Sequence, residues 1–356
     1  MPPSVASPPS LPVIAARVDG RLADLLAHES ARWRALDPGL EAPFAALRTL
    51  VAAGGKRLRP AFCHWGFVAA GGDPDDPRVV DVGAAFEMLH AFALVHDDVM
   101  DGSATRRGER TAHLTFADAH RAAGWRGEHR RFGEGAAVLV GDLAHVYADV
   151  LLGDVPGEVA AVWNELRLEL DVGQYLDLVG TARADRDRAT AHRIAVYKSG
   201  RYTIERPLHV GAALAGRSDL AAALSTYGGP LGEAFQLRDD VLGVFGDPAV
   251  TRKPVGEDLR EGKPTPLLAV AVERVRAAGD AAASALLERV GTADLGDADV
   301  AALLRLLVDT GARAEIDACI DRLTGRAIDA VEAADIVPEA RDELVELARY
   351  VSARDS

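Results

Sequence analysis

Two Asp-Asp pairs lie inside apolar stretches of this sequence, one in HDDVMD (His96–Asp101) and one in QLRDDVLG (Gln236–Gly243), roughly 140 positions apart. Adjacent carboxylates repel, and burying an unpaired charge is costly. A chain that sets two such pairs among Leu, Val, Phe and Met must therefore bring cations to both. Asp97 and Asp101 are four apart, so on a helix they project from one face with Cβ atoms roughly 6 Å apart, and Asp98 flanks them. Oxygen donors in that arrangement suit a hard divalent cation that keeps part of its water, such as Mg²⁺. A solvated acidic helix face is the plain alternative for one such motif, and two motifs embedded in apolar sequence argue against it.

The surrounding pattern predicts an all-α chain. Apolar residues recur at helical spacing almost from end to end, and no Ser/Gly-rich linker divides the 356 residues, so one domain over 13–356 is expected. The first twelve residues, MPPSVASPPSLP, read as a flexible Pro/Ser tail without the charged and apolar regions of a leader. The periodicity places helices over about Val13–Leu36, Phe44–Ala52, Pro60–Gly71, Val79–Met100, Gly135–Leu152, Val159–Val179, Ala189–Lys198 and Leu220–Val244, with three more before Tyr350. Asp101–Arg110 and Trp125–Gly133 read as loops, and Ser199-Gly200 as a kink or restart.

The formal net charge of −14 argues against a nucleic-acid partner or a polybasic membrane anchor. No uninterrupted apolar run approaches the roughly 18 residues that span a bilayer, and the expected location is cytoplasmic. Only Cys63 and Cys319 occur, without metal-ligand spacing.

Against this acidic background the local basic clusters carry information. GGKRLRP sets Lys56, Arg57 and Arg59 after a flexible Gly pair, where backbone and cations can approach an anion; its spacing excludes a nucleotide P-loop. Arg106-Arg107 follow the first Asp cluster, and Lys198, Lys253 and Lys263 stand in later breaks. Together they describe a helical cavity whose acidic walls hold Mg²⁺, whose metal ions hold a diphosphate, and whose separate basic pocket holds a second phosphate-bearing substrate. A diphosphate so clamped is a leaving group, and its loss leaves an allylic cation that needs a dry, apolar cavity.

GGKRLRP, HDDVMDGSATRRG, YKS, FQLRDDVLG and the spaced lysines of RKPVGEDLREGKPT together resemble the trans-isoprenyl diphosphate synthases, the polyprenyl synthetase family, over about Val13–Arg349. The resemblance implies the all-α isoprenoid synthase fold, usually a homodimer, condensing an allylic diphosphate with isopentenyl diphosphate. It implies three Mg²⁺ per active site, with Asp97, Asp101 and Asp239 as direct ligands and Asp98 and Asp240 in support. Lys56, Arg59 and His90, helped by Arg107, would bind isopentenyl diphosphate. Arg106, Lys198 and Lys253 would hold the allylic diphosphate, with Ser199 and Gln236 beside it and Lys263 on a closing loop. Lys198 joins the Asp residues in the implied catalytic set. Gln174 and Asp177 in GQYLDL match a family segment that faces the cavity, a polar helix face being the alternative. The implied proton acceptor is the released diphosphate.

Three departures stand out. Gly243 replaces the last Asp of the second motif, with Asp247 able to substitute only if the helix continues; Ser199 stands where Thr is more usual; and Arg252 precedes Lys253. Chain length should be set on the helix before Asp97, where Ala93 is small and Phe92 bulky. That combination predicts a short product, geranylgeranyl diphosphate (C20), with farnesyl diphosphate (C15) as the alternative. A class I terpene cyclase would carry an Asn/Ser/Glu triad in place of the second Asp pair, and a non-catalytic subunit tends to lose one Asp motif.

Overall fold

The computed structural model describes residues 6–247 and 255–354. Lys253 and Arg252 lie outside the described residues. The helices are α1 (Ser10–Arg34), α2 (Glu41–Ala52), α3 (Leu58–Ala69), α4 (Pro77–Asp101), α5 (Ala112–Ala122), α6 (His129–Leu152), α7 (Gly157–Ala182), α8 (Arg188–Ile194), α9 (Arg206–Leu214) and α10 (Ala221–Phe245). Beyond them come α11 (Glu257–Glu261), α12 (Pro266–Ala278), α13 (Ala281–Glu288), α14 (Asp297–Asp309), α15 (Ala312–Glu332) and α16 (Pro338–Ala353). A π-helical segment, Ala195–Glu205, joins α8 to α9. The only strands among the described residues are Thr105–Arg106 and Glu109–Arg110, paired antiparallel.

Local chemistry explains the boundaries. Asp76 caps α4 by accepting the Arg78 N–H at 2.9 Å, Pro77 fits the first turn, and Gly102 ends the helix in the left-handed region. The expected loop over Trp125–Gly133 is shorter than the spacing suggested. Glu128 accepts the N–H groups of Arg130 and Arg131 at 2.8 and 2.6 Å, so α6 starts at His129. After the Gly/Pro-rich stretch five helices of eight residues or more follow, where periodicity suggested three. Gly279 and Gly311 adopt positive φ and break the apolar rhythm.

Three apolar clusters make up the core. Leu22, Phe44, Phe86, Met88 and Trp163 join α1, α2, α4 and α7, and Trp163 meets Phe86 edge-on at 5.2 Å. Such a pair adds about 0.5–1.5 kcal/mol beyond its burial. Phe62, Tyr227 and Leu344 tie α3 and α10 to α16, while Leu268, Leu303 and Ile320 pack α12, α14 and α15 under the far end of α10.

The expectation that no segment could span a bilayer needs correction on length and composition. α4 and α6 both qualify, with mean hydropathy 1.4 and 1.5, but 61% of the α4 window is buried inside the protein, against 39% for α6. Isolated charged residues, Asp81 and Glu87 in α4 and Asp142 and Asp149 in α6, interrupt the apolar run of each.

Candidate active site

The ends of α3, α4, α7 and α10, the π-helical segment and the Lys263–Pro266 stretch surround one cavity of about 500 Å³. Its wall includes Asp97, Asp239 and Asp240 from the two acidic motifs, and Lys56, Arg59, His90, Arg106, Arg107, Lys198, Ser199, Gln236 and Lys263. Residues far apart in sequence are thus brought together.

The first acidic motif is already neutralised by the protein's own cations. Asp97 accepts from Lys198 Nζ and Gln174 Nε2, each at 3.0 Å, through Oδ1, and from Arg106 at 3.0 Å through Oδ2. Arg106 Nε also donates to Asp98 Oδ1 at 2.8 Å, while Lys263 Nζ lies 3.4 Å from Asp101 Oδ2. Burial alone would raise Asp97, but Lys198, Lys263 and Arg106 hold its carboxyl well below the usual carboxylate range. Its neighbour goes the other way: burial, then the charge of Asp97, pushes Asp101 up to about 6. Asp177 also bonds Lys198, and Gln174 holds Asp97, so both residues of GQYLDL take part in the site.

Two local devices deliver these cations. The segment read as a polar loop after α4 is a tight hairpin. Arg107 and Gly108 both have positive φ (56° and 85°), as a two-residue turn of this hand requires. The turn sends Arg106 to the acids and Arg107 to the Gly54 carbonyl of the basic loop. The π-helical segment carries Lys198, Ser199, Tyr202 and Thr203; such irregular helix recurs at functional sites. It lies hard against α7, where a Cβ on Gly173 would come within 2.4 Å of the Lys198 nitrogen. Only glycine permits that approach.

At the second motif, Gln236 Nε2 donates to Asp240 Oδ1 at 2.7 Å. Asp239 bonds Arg354, a residue sequence reasoning missed because it follows the last helix and looks like a tail. The Arg354 side chain is buried, stacks on Phe235 at 4.0 Å and donates to the Phe235 carbonyl at 3.2 Å. Asp247 cannot replace the missing Asp at 243, because α10 stops at Phe245 and Asp247 is exposed.

The basic pocket is built around a buried ion pair. Arg57 takes a left-handed conformation (φ 49°) that turns its guanidinium to Glu87 at 2.6 Å, Asp19 at 2.8 Å and the Val51 carbonyl at 2.8 Å. Arg59 lies 4.3 Å over the Tyr202 ring and donates to Thr203 Oγ1 at 2.9 Å. Burial, with Arg59 and Arg107 nearby, pushes His90 well below the ordinary histidine value, so its ring is neutral at pH 7. Arg59 Nε, His90 Nδ1 and Tyr202 Oη are buried without a hydrogen-bond partner among the described residues. Three unsatisfied polar atoms at one place mark a ligand position. Tyr202 was not singled out from the sequence, where it reads as an ordinary helical aromatic.

Phe92 departs from its expected place. Consecutive helical residues are about 100° apart, and Phe92 turns towards α6, stacked on His145 and edge-on to His96, both at 4.7 Å. Ala93 and Leu94, not Phe92, line the cavity.

Can these residues hold a metal? Among the described residues no group of three or more His, Cys, Asp or Glu side chains converges into a closed protein-only site. The donors are carboxylate oxygens; Asp240 Oδ2 is buried without a hydrogen-bond partner among the described residues, and Asp101 Oδ2 meets only the Lys263 ammonium there, at 3.4 Å. An all-oxygen, incomplete donor set fits Mg²⁺, which keeps several waters and shares phosphate oxygens.

The family model described as "Polyprenyl synthetase" matches residues 42–307. The chain belongs to the polyprenyl synthetase family. It is 33% identical over 273 residues to geranylfarnesyl diphosphate synthase of Aeropyrum pernix, covering 74% of this chain and 78% of the relative. To (2E,6E)-farnesyl diphosphate synthase of Mycobacterium bovis it is 34% identical over 312 residues, covering 85% and 80%. The crystal structure of geranylgeranyl pyrophosphate synthase from Corynebacterium glutamicum, complexed with isoprenyl diphosphate and magnesium, superposes with a TM-score of 0.90 at 37% identity, covering 96% of this chain and 99% of that one. The polyprenyl synthetase member described here has the all-α isoprenoid synthase fold and is a trans-prenyltransferase, a trans-prenyl diphosphate synthase.

Proposed function

We propose that this synthase elongates an allylic diphosphate with isopentenyl diphosphate, head to tail, in a Mg²⁺-dependent reaction that ends at geranylgeranyl diphosphate. The observation that carries the reading is the pairing of two differently built halves in one cavity. An acidic half of Asp97 and Asp239 on the cavity wall, with Asp101 one turn after Asp97 on α4, would hold three Mg²⁺ ions, supported by Asp98 and Asp240. A basic half of Lys56, Arg59, His90 and Arg107 has no acidic motif of its own. When bound, Mg²⁺ would neutralise the charge growing on a departing diphosphate.

The chain's own residues do the rest. Arg106, Lys198 and Lys263 stand between the carboxylates and the cavity, where they can turn to the allylic diphosphate as its C1–O bond breaks. Lys56, Arg59, neutral His90 and Arg107 orient isopentenyl diphosphate so that its terminal alkene carbon attacks C1. Apolar wall residues such as Leu94, Leu170 and Ile194 exclude water from the cation. The C1–C4 bond forms, a C2 proton leaves, and the released diphosphate accepts it. Lys253, assigned by resemblance to the allylic diphosphate, joins this set.

The two halves predict separate kinetic behaviour. Lys56→Ala should raise KM for isopentenyl diphosphate about tenfold or more, the loss of one charge-assisted contact of about 1.5–3 kcal/mol, with little change for the allylic substrate. Initial rates with each substrate varied in turn measure this; equal effects on both would mean the pocket is wrongly assigned.

Product length rests on Ala93, the small residue on the wall one turn before Asp97. Ala93→Phe is expected to shorten the main product to C15, read by chromatography of the dephosphorylated prenyl alcohols. An unchanged C20 product would remove Ala93 from the chain-length determinant, and C15 from the parent would make farnesyl diphosphate the product.

A homodimer is part of the proposal. Phe132, Leu139, Val146 and Val150 are exposed along α6, and Leu168, Val172 and Tyr175 along α7. Leu139 and Tyr175 are 63% and 67% exposed, unusual for large apolar side chains. Leu139→Asp should halve the mass measured by light scattering; an unchanged mass would place the interface elsewhere. The protein is proposed to work in the cytoplasm.

A further inference from the structure

We infer that Glu169 on α7 is a positioning residue for the reaction, clamping Arg201 from outside the cavity so that the π-helical segment presents Lys198 to the acidic half. A π-helical register is rare, and it persists where neighbouring elements hold it. Here it runs from Ala195 to Glu205, and its Lys198, Ser199 and Tyr202 line the cavity. Glu169, Arg201 and Arg206 are not part of that wall. They form a separate ionic knot. Arg206, directly after the segment, grips Glu169 with a fork, Nε to Oε2 at 2.7 Å and Nη2 to Oε1 at 2.6 Å. Arg201, within the segment, donates to the same Oε1 at 2.5 Å. The Glu169 side chain is buried; burial would raise its carboxyl, but Arg206 and Arg201 hold it below its ordinary value.

One face of α7 links that knot to Lys198. Glu169, Gly173 and Asp177 are spaced by four, so they lie along the same side of the helix. Each meets the segment at a different height: Glu169 at Arg201, Gly173 against the Lys198 backbone, and Asp177 at the Lys198 ammonium. On the α10 side the contact is also glycine on glycine, since a Cβ on Gly232 would fall 2.6 Å from the Gly200 carbonyl oxygen. Bare glycine contacts let backbones approach closely but offer no side chain to resist sliding or rewinding. Polar fasteners must supply that resistance. Asp177 holds the tip of the Lys198 side chain, whereas Glu169 holds the chain that follows it, at Arg201 and Arg206. Glu169 reaches no reacting group itself. It acts through Lys198, whose Nζ stands 3.0 Å from Asp97 Oδ1.

The inference rests on the proposed role of Lys198 in the condensation, and its test separates the two. Single-turnover rates at saturating substrates are measured for the parent, Lys198→Ala, Arg201→Gln and the double variant, with thermal melts to follow folding. Arg201→Gln leaves Glu169 paired with Arg206, so it opens the clamp while the buried carboxylate keeps a partner. It should lower the rate about 10–100-fold, the scale of a misplacement on the order of 1 Å. In the Lys198→Ala background the same substitution should cost about twofold or less, because the residue it positions is already gone. Glu169→Gln should show the same dependence on Lys198, and Glu169→Asp, which keeps the charge, should retain more of the rate than Glu169→Gln. An equal loss from Arg201→Gln in both backgrounds would make the knot purely structural, and an unchanged rate in the parent background would leave it no role; either overturns the inference. Lys198→Ala at the parental rate, or a parent chain that incorporates no isopentenyl diphosphate, would overturn the functional reading on which it stands.

Discussion

Asp97→Asn should lower turnover by about 10³-fold or more while leaving the melting temperature close to that of the parent. Removing one preorganised electrostatic contact at a transition state typically costs about 10²–10³-fold. Asp97 is placed to do more, because Lys198, Gln174 and Arg106 all meet its carboxylate. The substitution would disturb a proposed metal ligand and the cations that would pass to the diphosphate. The fold should survive, since Lys198 keeps Asp177 and Arg106 keeps Asp98. Single-turnover rates with saturating substrates, alongside thermal melts, check both halves. Retained turnover would mean that Asp97 is not a ligand, and a collapsed melting temperature would make it a structural counter-ion.

The largest effect on stability is expected at Glu87, which no motif marks. Its side chain and that of Arg57 are 5% and 4% exposed and meet at 2.6 Å. Breaking such a pair from one side leaves an uncompensated buried charge, and Glu87→Ala should cost about 3–5 kcal/mol. Replacing both members, Arg57→Met with Glu87→Met, should recover much of that loss, because well-packed apolar groups can substitute for a buried pair. The double variant should still bind isopentenyl diphosphate poorly, since the pair holds the loop bearing Lys56 and Arg59. Urea midpoints at constant slope measure stability. A loss for Glu87→Ala no larger than the roughly 0–1 kcal/mol of a surface pair would refute this reading.

These two residues show what the sequence made legible. Asp97 and Asp101 could be read because helical spacing turns a four-residue separation into a shared face, and α4 delivers them that way. The basic residues after Gly54-Gly55 and in the Arg106-Arg107 pair stood out against an acidic chain, and they line the same cavity. Glu87 could not be read, because a single Glu in an apolar helix looks like a half-exposed position until a partner is known. Arg354 is joined to Asp239 across 115 positions, and no local pattern links a chain end to a distant helix. Phe92 and Ala93 were both placed on the correct helix; which of them faces the cavity depended on the rotation of α4 against α6. The π-helical segment was visible only as a break at Ser199-Gly200, because its register is set by α7 and α10 packing against it.

The most direct measurement is product analysis of the purified chain with Mg²⁺, labelled isopentenyl diphosphate and a C5, C10 or C15 allylic diphosphate, with a chelator control. Incorporation of label into a longer prenyl diphosphate, abolished by the chelator and ending at C20, is the expected result. Conversion of the allylic diphosphate to a hydrocarbon without isopentenyl diphosphate, or no incorporation with any primer, would contradict the account.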